Sequence, residues 1–254
     1  MDFNFYQPYI IALIVGITSG FVGSFIILKR MALVGDALSH VALPGIALAL
    51  AYSIEPFWGV LVFLLLAAVL VWWLEGKTKL PADAIIGLLF TASLAIGILL
   101  IPDTEILESL FGEFPQLCAI EFWFFIGSAI LLTFLLLKFS QKIIFYIISP
   151  ELAKAEKWGP RINLLFLLIF AFTVALGIKL VGTLLMGALT IIPASVAKNF
   201  SRNMTWYVVL SLVFGGVIAV GGLFIASSFH LLPGPAIILL GVGLFIVSLV
   251  FKKG

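Results

Sequence analysis

With 63% hydrophobic and only 10% charged side chains among 254 residues, the chain cannot fold in water as a soluble domain, which carries about 25% charged residues. A soluble enzyme is therefore excluded, and a mean hydropathy of +1.30 makes lipid the solvent for much of the surface. The net charge of +2, with no lysine- or arginine-rich run, offers nothing to nucleic acid.

Crossing the hydrocarbon takes a helix of about 20 mostly apolar residues. Nine stretches qualify, near 8–28, 32–51, 56–74, 83–101, 119–139, 162–178, 180–198, 204–228 and 233–251. The predicted fold is a single all-α integral membrane domain over 1–254, a polytopic bundle of nine transmembrane helices, or eight with one re-entrant segment. The opening MDFNFYQPYI has neither a basic n-region nor a small-residue cleavage site, so the first stretch is read as a retained span.

Lys29 and Arg30 close that span, and the second holds the chemistry. Its sequence from Arg30 is RMALVGDALSHVALPGIALAL. Asp36 and His40, four residues apart, fall on one helix face a turn from each other. Ionisable groups inside a membrane are costly and face a polar pathway or a partner. Pro44 has no N–H, so the carbonyl of His40 loses its usual intrahelical donor. Gly35 and Gly45 flank the pair and permit close packing or bending. A carboxylate, an imidazole and a free carbonyl suit a divalent transition ion such as zinc or manganese. An Asp–His hydrogen bond joining two helices is the bland alternative. A proton-coupled secondary transporter using the same pair is the functional one.

The third span ends at Lys77 and Lys79, and the fourth opens into an acidic loop at 102–118 with Asp103, Glu105, Glu108 and Glu113. That loop is either a solvated turn or a mouth that concentrates cations. Cys118, the single cysteine, cannot form an intrachain disulfide. After the fifth span, with Lys138 and Lys142, comes SPELAKAEKWGPR, Ser149 to Arg161. Ser149 at the N-cap, Pro150 and Glu151 in the first turn and a stop at Gly159–Pro160 predict a short helix on the cytoplasmic face near 149–160. It is either a connector or a docking element.

The stretch 162–198 is nearly continuous and is divided at Lys179. In its second half Pro193 frees the carbonyl of Leu189, with Thr190 and Ser195 able to satisfy stranded backbone groups. Leu180-Val181-Gly182 matches Leu33-Val34-Gly35, three residues too few to establish an inverted repeat. Lys198 and Arg202 follow. Gly215-Gly216 and Gly221-Gly222 in the eighth span suit tight helix packing, and His230 at its end is a weaker candidate ligand. Lys252 and Lys253 end the chain. Every second junction is thus basic, with only Lys179 out of step, which predicts an external N-terminus and a cytoplasmic C-terminus.

The run Gly35-Asp36-Ala37-Leu38-Ser39-His40 with Leu43-Pro44-Gly45 resembles the signature of the ABC-3 permease family, membrane subunits of zinc, manganese and iron importers. Pro150-Glu151-Leu152-Ala153 resembles its coupling region. Val181-Gly182-Thr183-Leu184-Leu185 with Ile191-Ile192-Pro193-Ala194 resembles its second half, and Leu232-Pro233-Gly234-Pro235-Ala236 its final hairpin. The segment Phe111–Ile120 departs from the pattern. The resemblance implies a type II importer-like fold in the cell membrane and a homodimer. Its partners would be a cytoplasmic ATP-binding subunit and an extracytoplasmic metal-binding protein. It implies that metal passes Asp36 and His40, and that Pro150, Glu151, Ala153, Lys154 and Gly159 couple to the ATPase. No resident cofactor is implied, because the metal is cargo.

Overall fold

The computed structural model describes residues 3–78, 80–100, 110, 117–156 and 158–251. Among them lie eleven α-helices and no strand: α1 Phe3–Leu28, α2 Ala32–His40, α3 Leu43–Ala51, α4 Pro56–Lys77, α5 Ala82–Leu100, α6 Ala119–Ile148, α7 Pro150–Ala155, α8 Gly159–Val181, α9 Met186–Phe200, α10 Met204–Phe229 and α11 Pro233–Val250.

Seven helical segments among these residues are long and apolar enough to cross a membrane, α2 and α3 counting together as Val34–Ala51. The expectation of nine full spans is not borne out. The fourth predicted stretch forms α5, Ala82–Leu100, and the seventh forms α9, which at 15 residues is short of a full span. The physical reason is clearest at α9. The expected division at Lys179 falls instead at Gly182, whose φ of 83° ends α8. A turn before Met186 then uses apolar residues that a hydropathy reading assigns to a helix.

The interior helix is α1, which packs against α6, α8, α9 and α10. Small residues set how closely it approaches them. A Cβ on Gly16 would strike the backbone of Gly215, one on Gly20 the carbonyl of Ser211, and one on Gly23 the carbonyl of Thr190. Gly222 likewise rests on the backbone of Ile237. The helix stops at a Schellman turn. The Met31 amide donates to the Ile26 carbonyl at 3.1 Å and the Arg30 amide to Ile27 at 3.1 Å, with Arg30 left-handed at φ 60°.

From that turn α2 and α3 climb, then α4 descends beside α3, where Gly45 and Gly59 meet backbone to backbone. Glu55 caps α4, its carboxylate accepting from the Phe57 amide at 2.8 Å. On the far side α5 packs on α2, α3 and α4.

The predicted surface helix exists as α7, but it stops at Ala155. Ser149 occupies its N-cap without a side-chain bond, and Gly159–Pro160 start α8 where they were expected to end the preceding helix. Proline lacks the amide that a first helical turn leaves unused, so it begins helices readily.

Candidate metal passage site

The site is built on α2 because Pro44 interrupts the span. The Val41 amide turns back to the Leu38 carbonyl at 3.1 Å and the Ala42 amide to Ser39 at 3.2 Å, a tightened turn before α3 resumes at Leu43. His40 therefore stands at the end of a helix in mid-span. It is 6% exposed, and its Nδ1 is buried with no hydrogen-bond partner. Its ring lies 5.3 Å from that of Phe90 on α5, inclined at 59°. Asp36, one turn earlier, is exposed on the surface of the single chain.

Two contacts with the second half of the chain fix this helix. The Ser39 hydroxyl lies 2.6 Å from the Thr183 carbonyl and 2.7 Å from that of Asp36, able to donate to one or the other. Gly187 at the start of α9 lies against the Asp36 backbone so closely that a Cβ there would collide with it. Close approach was expected of Gly35 and Gly45. Gly45 shows it, at Gly59, whereas Gly35 has only ordinary contacts and Gly187 takes its role. Nothing local to Gly187 signals this. The matched Leu-Val-Gly segments lie on α2 and at the end of α8, and α2 packs on both α8 and α9.

One carboxylate and one imidazole can hold a divalent ion weakly. Among the described residues, no three His, Cys, Asp or Glu side chains gather as a metal site. His230 is exposed, and it terminates α10 in the left-handed conformation at φ 52°. Thr190 donates to the Met186 carbonyl at 3.1 Å, not to Leu189.

Polar ties close the bundle on either side of this site. At one end Lys179 pairs with Glu55 at 2.7 Å, Gln7 donates to the Leu117 carbonyl at 2.6 Å, and the Leu184 amide to Leu110 at 3.1 Å. The cation that broke the charge alternation thus has a carboxylate beside it. At the other end Lys29 donates to Asn163 at 2.9 Å, Asn163 to Glu75 at 2.7 Å, and the Trp72 indole to the Pro160 carbonyl at 2.8 Å. Asp103, Glu105, Glu108 and Glu113 of the acidic loop, and Lys157, lie outside the described residues.

Among the expected coupling residues, Pro150 and Glu151 are exposed on α7, while Ala153 and Gly159 are buried. The backbone of Lys154 lies in the same helix. Trp158 holds the segment to α6, its ring 5.7 Å from Phe145 and beneath the Lys142 ammonium at 5.7 Å.

A family model described as the ABC 3 transport family matches residues 2–252. The chain is 34% identical to the manganese import system permease protein ScaB of Streptococcus gordonii, across 97% of this chain and 91% of that protein. It is 30% identical to the high-affinity zinc uptake system membrane protein ZnuB of Haemophilus influenzae, across 91% and 90% respectively. Among solved structures it is similar to PsaBC from Streptococcus pneumoniae in complex with Fab, with a TM-score of 0.84 and 31% identity, over 98% of this chain and 91% of that one.

Proposed function

The chain belongs to the ABC 3 transport family, and from that premise we propose that it is the membrane permease subunit of an ATP-binding cassette importer carrying manganese or zinc. It is a transport subunit and not an enzyme. It contains no G-x-x-x-x-G-K-[ST] phosphate loop, so ATP hydrolysis belongs to a separate cytoplasmic chain. The proton-coupled alternative is not favoured, because the family is one of ATP-driven transporters.

The observation that carries the passage site is the buried, unpartnered Nδ1 of His40 one turn from an exposed carboxylate. A buried polar nitrogen left without a partner costs about 1–3 kcal/mol, a cost that a transported cation would offset as it passes. Asp36 supplies charge and an oxygen, and His40 supplies nitrogen, which is the donor mixture of zinc and manganese sites.

A second copy would complete the site. Two side chains cannot fill a tetrahedral shell, and a two-fold axis beside the exposed Asp36 would bring a second pair to it. The neighbouring α5 supports this reading. Gly87, Thr91 and Ala95 recur on it every four residues, the small-residue spacing that lets helices approach closely.

The N-terminus would lie outside, with α7 on the cytoplasmic face docking the ATPase through the exposed Pro150 and Glu151 and through Lys154, while the buried Ala153 and Gly159 seat the segment against the bundle. An external protein would deliver the ion. The alternation of basic junctions supports this orientation.

The test is uptake of radioactive manganese and zinc by the complex reconstituted with its ATPase. Asp36→Ala and His40→Ala proteins, assembled normally, are expected to lose import. Import at the wild-type rate by both would remove the pair from the pathway.

A further inference from the structure

Lys29, Asn163 and Glu75 meet at the end of the bundle that carries α7, and the site described above makes no use of them. Asn163 is 3% exposed. Its carboxamide oxygen accepts from the Lys29 ammonium at 2.9 Å, and its nitrogen donates to the Glu75 carboxylate at 2.7 Å. Only this amide orientation satisfies both neighbours, since an ammonium cannot accept and a carboxylate cannot donate. The Lys29 ammonium also lies 5.6 Å from the centre of the Tyr146 ring and 5.5 Å from that of Phe166. Four helices are gripped together: the end of α1, the end of α4, the end of α6 and the start of α8.

We propose that this triad is a coupling joint, carrying movement of α7 to the helix that holds Asp36 and His40. The proposal rests on the permease reading. Its basis is where the chain leads on each side of the triad. Tyr146 and Asn163 flank α7 at Pro150–Ala155, on the helices directly before and after it. On the other side, Lys29 is two residues before Met31, the N-cap of α2. The turn between them is fixed by the two bonds of the Schellman motif. Any displacement of α7 that carries α6 and α8 with it therefore pulls on Lys29, and through that turn on the base of α2. Stability alone does not account for such a triad. Apolar side chains of similar volume at buried ion-pair positions are often neutral or stabilising. A chain of polar bonds adds directionality, because it holds one relative placement of the four helices and releases sharply when displaced. Lys29, Asn163 and Glu75 are positioning residues that touch no cargo.

The test compares three reconstituted complexes with wild type, measuring ATP hydrolysed and manganese imported in the same vesicles. Asn163→Asp keeps the shape but sets two carboxylates against each other. Adding Glu75→Gln restores both the bond, now donated by the glutamine, and the neutral charge sum. Glu75→Ala removes one end at a half-buried position. Asn163→Asp is expected to hydrolyse ATP while importing about tenfold less metal per ATP, the scale of one lost charge-assisted hydrogen bond. The Asn163→Asp/Glu75→Gln pair is expected to recover most of that ratio. An unchanged ratio in Asn163→Asp, or a reduced one that the double variant leaves unrestored, overturns the joint. If Asn163→Asp does not assemble, Glu75→Ala decides: a lowered ratio supports the joint and a wild-type ratio overturns it. A wild-type complex that hydrolyses ATP and imports neither manganese nor zinc overturns the permease reading, and the joint with it.

Discussion

At His40 a buried nitrogen without a partner sits one turn from a carboxylate that the single chain leaves exposed. Replacing Asp36 by Asn keeps the side-chain volume and removes the charge. Manganese uptake is expected to fall by at least about tenfold, since a hydrogen bond or contact to a charged group is worth about 1.5–3 kcal/mol. Thermal stability should barely change, because Asp36 is exposed. A parallel loss of both would mean the residue is structural. Gly187→Ala tests the packing of α9 against the same helix. Its Cβ would enter the Asp36 backbone, and overpacking of this kind costs about 1–3 kcal/mol. The melting temperature in detergent and the uptake rate are both expected to drop. Asp36 and His40 were legible in the sequence because ionisable residues stand out in an apolar run beside a proline. Phe90, Thr183 and Gly187 were not. Ser39 and Thr183 lie 144 residues apart, and no local pattern marks a contact of that range.

The helices divide the same way between what patterning reveals and what it conceals. Every predicted stretch contains a helix, since hydropathy over about 20 residues is a strong signal. The ends were less legible. Lys179, read as a boundary, lies inside α8 and pairs with Glu55, while Gly182 makes the break. A charge within an apolar run looks like a loop until its partner is known. The pairing of helices was readable only where glycines are dense. Gly215 and Gly222 of the eighth span are close-contact residues as expected, and Gly16 and Gly20 are the unadvertised counterparts of Gly215. Gly16→Val should separate α1 from α10 and lower the melting temperature of the assembled subunit. Gly127→Ala, where an added Cβ meets nothing within 4 Å, should raise it slightly, because glycine within a helix costs roughly 0.5–1 kcal/mol relative to alanine. Equal shifts for the two variants would deny that α1 packs on glycine.

For the molecule as a whole, orientation is the property most open to a direct check. Cys118 is exposed, and it is the single cysteine of the chain. A membrane-impermeant maleimide is expected to label it on intact cells, and to miss a cysteine placed at Gly254 until the membrane is opened. The reverse pattern would invert the proposed topology. Arg30 bears on how that topology arises. It occupies the left-handed turn after α1 at φ 60°, a conformation that costs a non-glycine residue roughly 1–2 kcal/mol and glycine almost nothing. Arg30→Gly should therefore yield a finished bundle that melts higher. In the proposed topology the same change deletes one of the two cations that would hold the first span's trailing end in the cytoplasm while the polypeptide is being threaded by the translocon. More of the newly made chains should then enter the bilayer upside down, so a residue that burdens the mature protein serves its biogenesis.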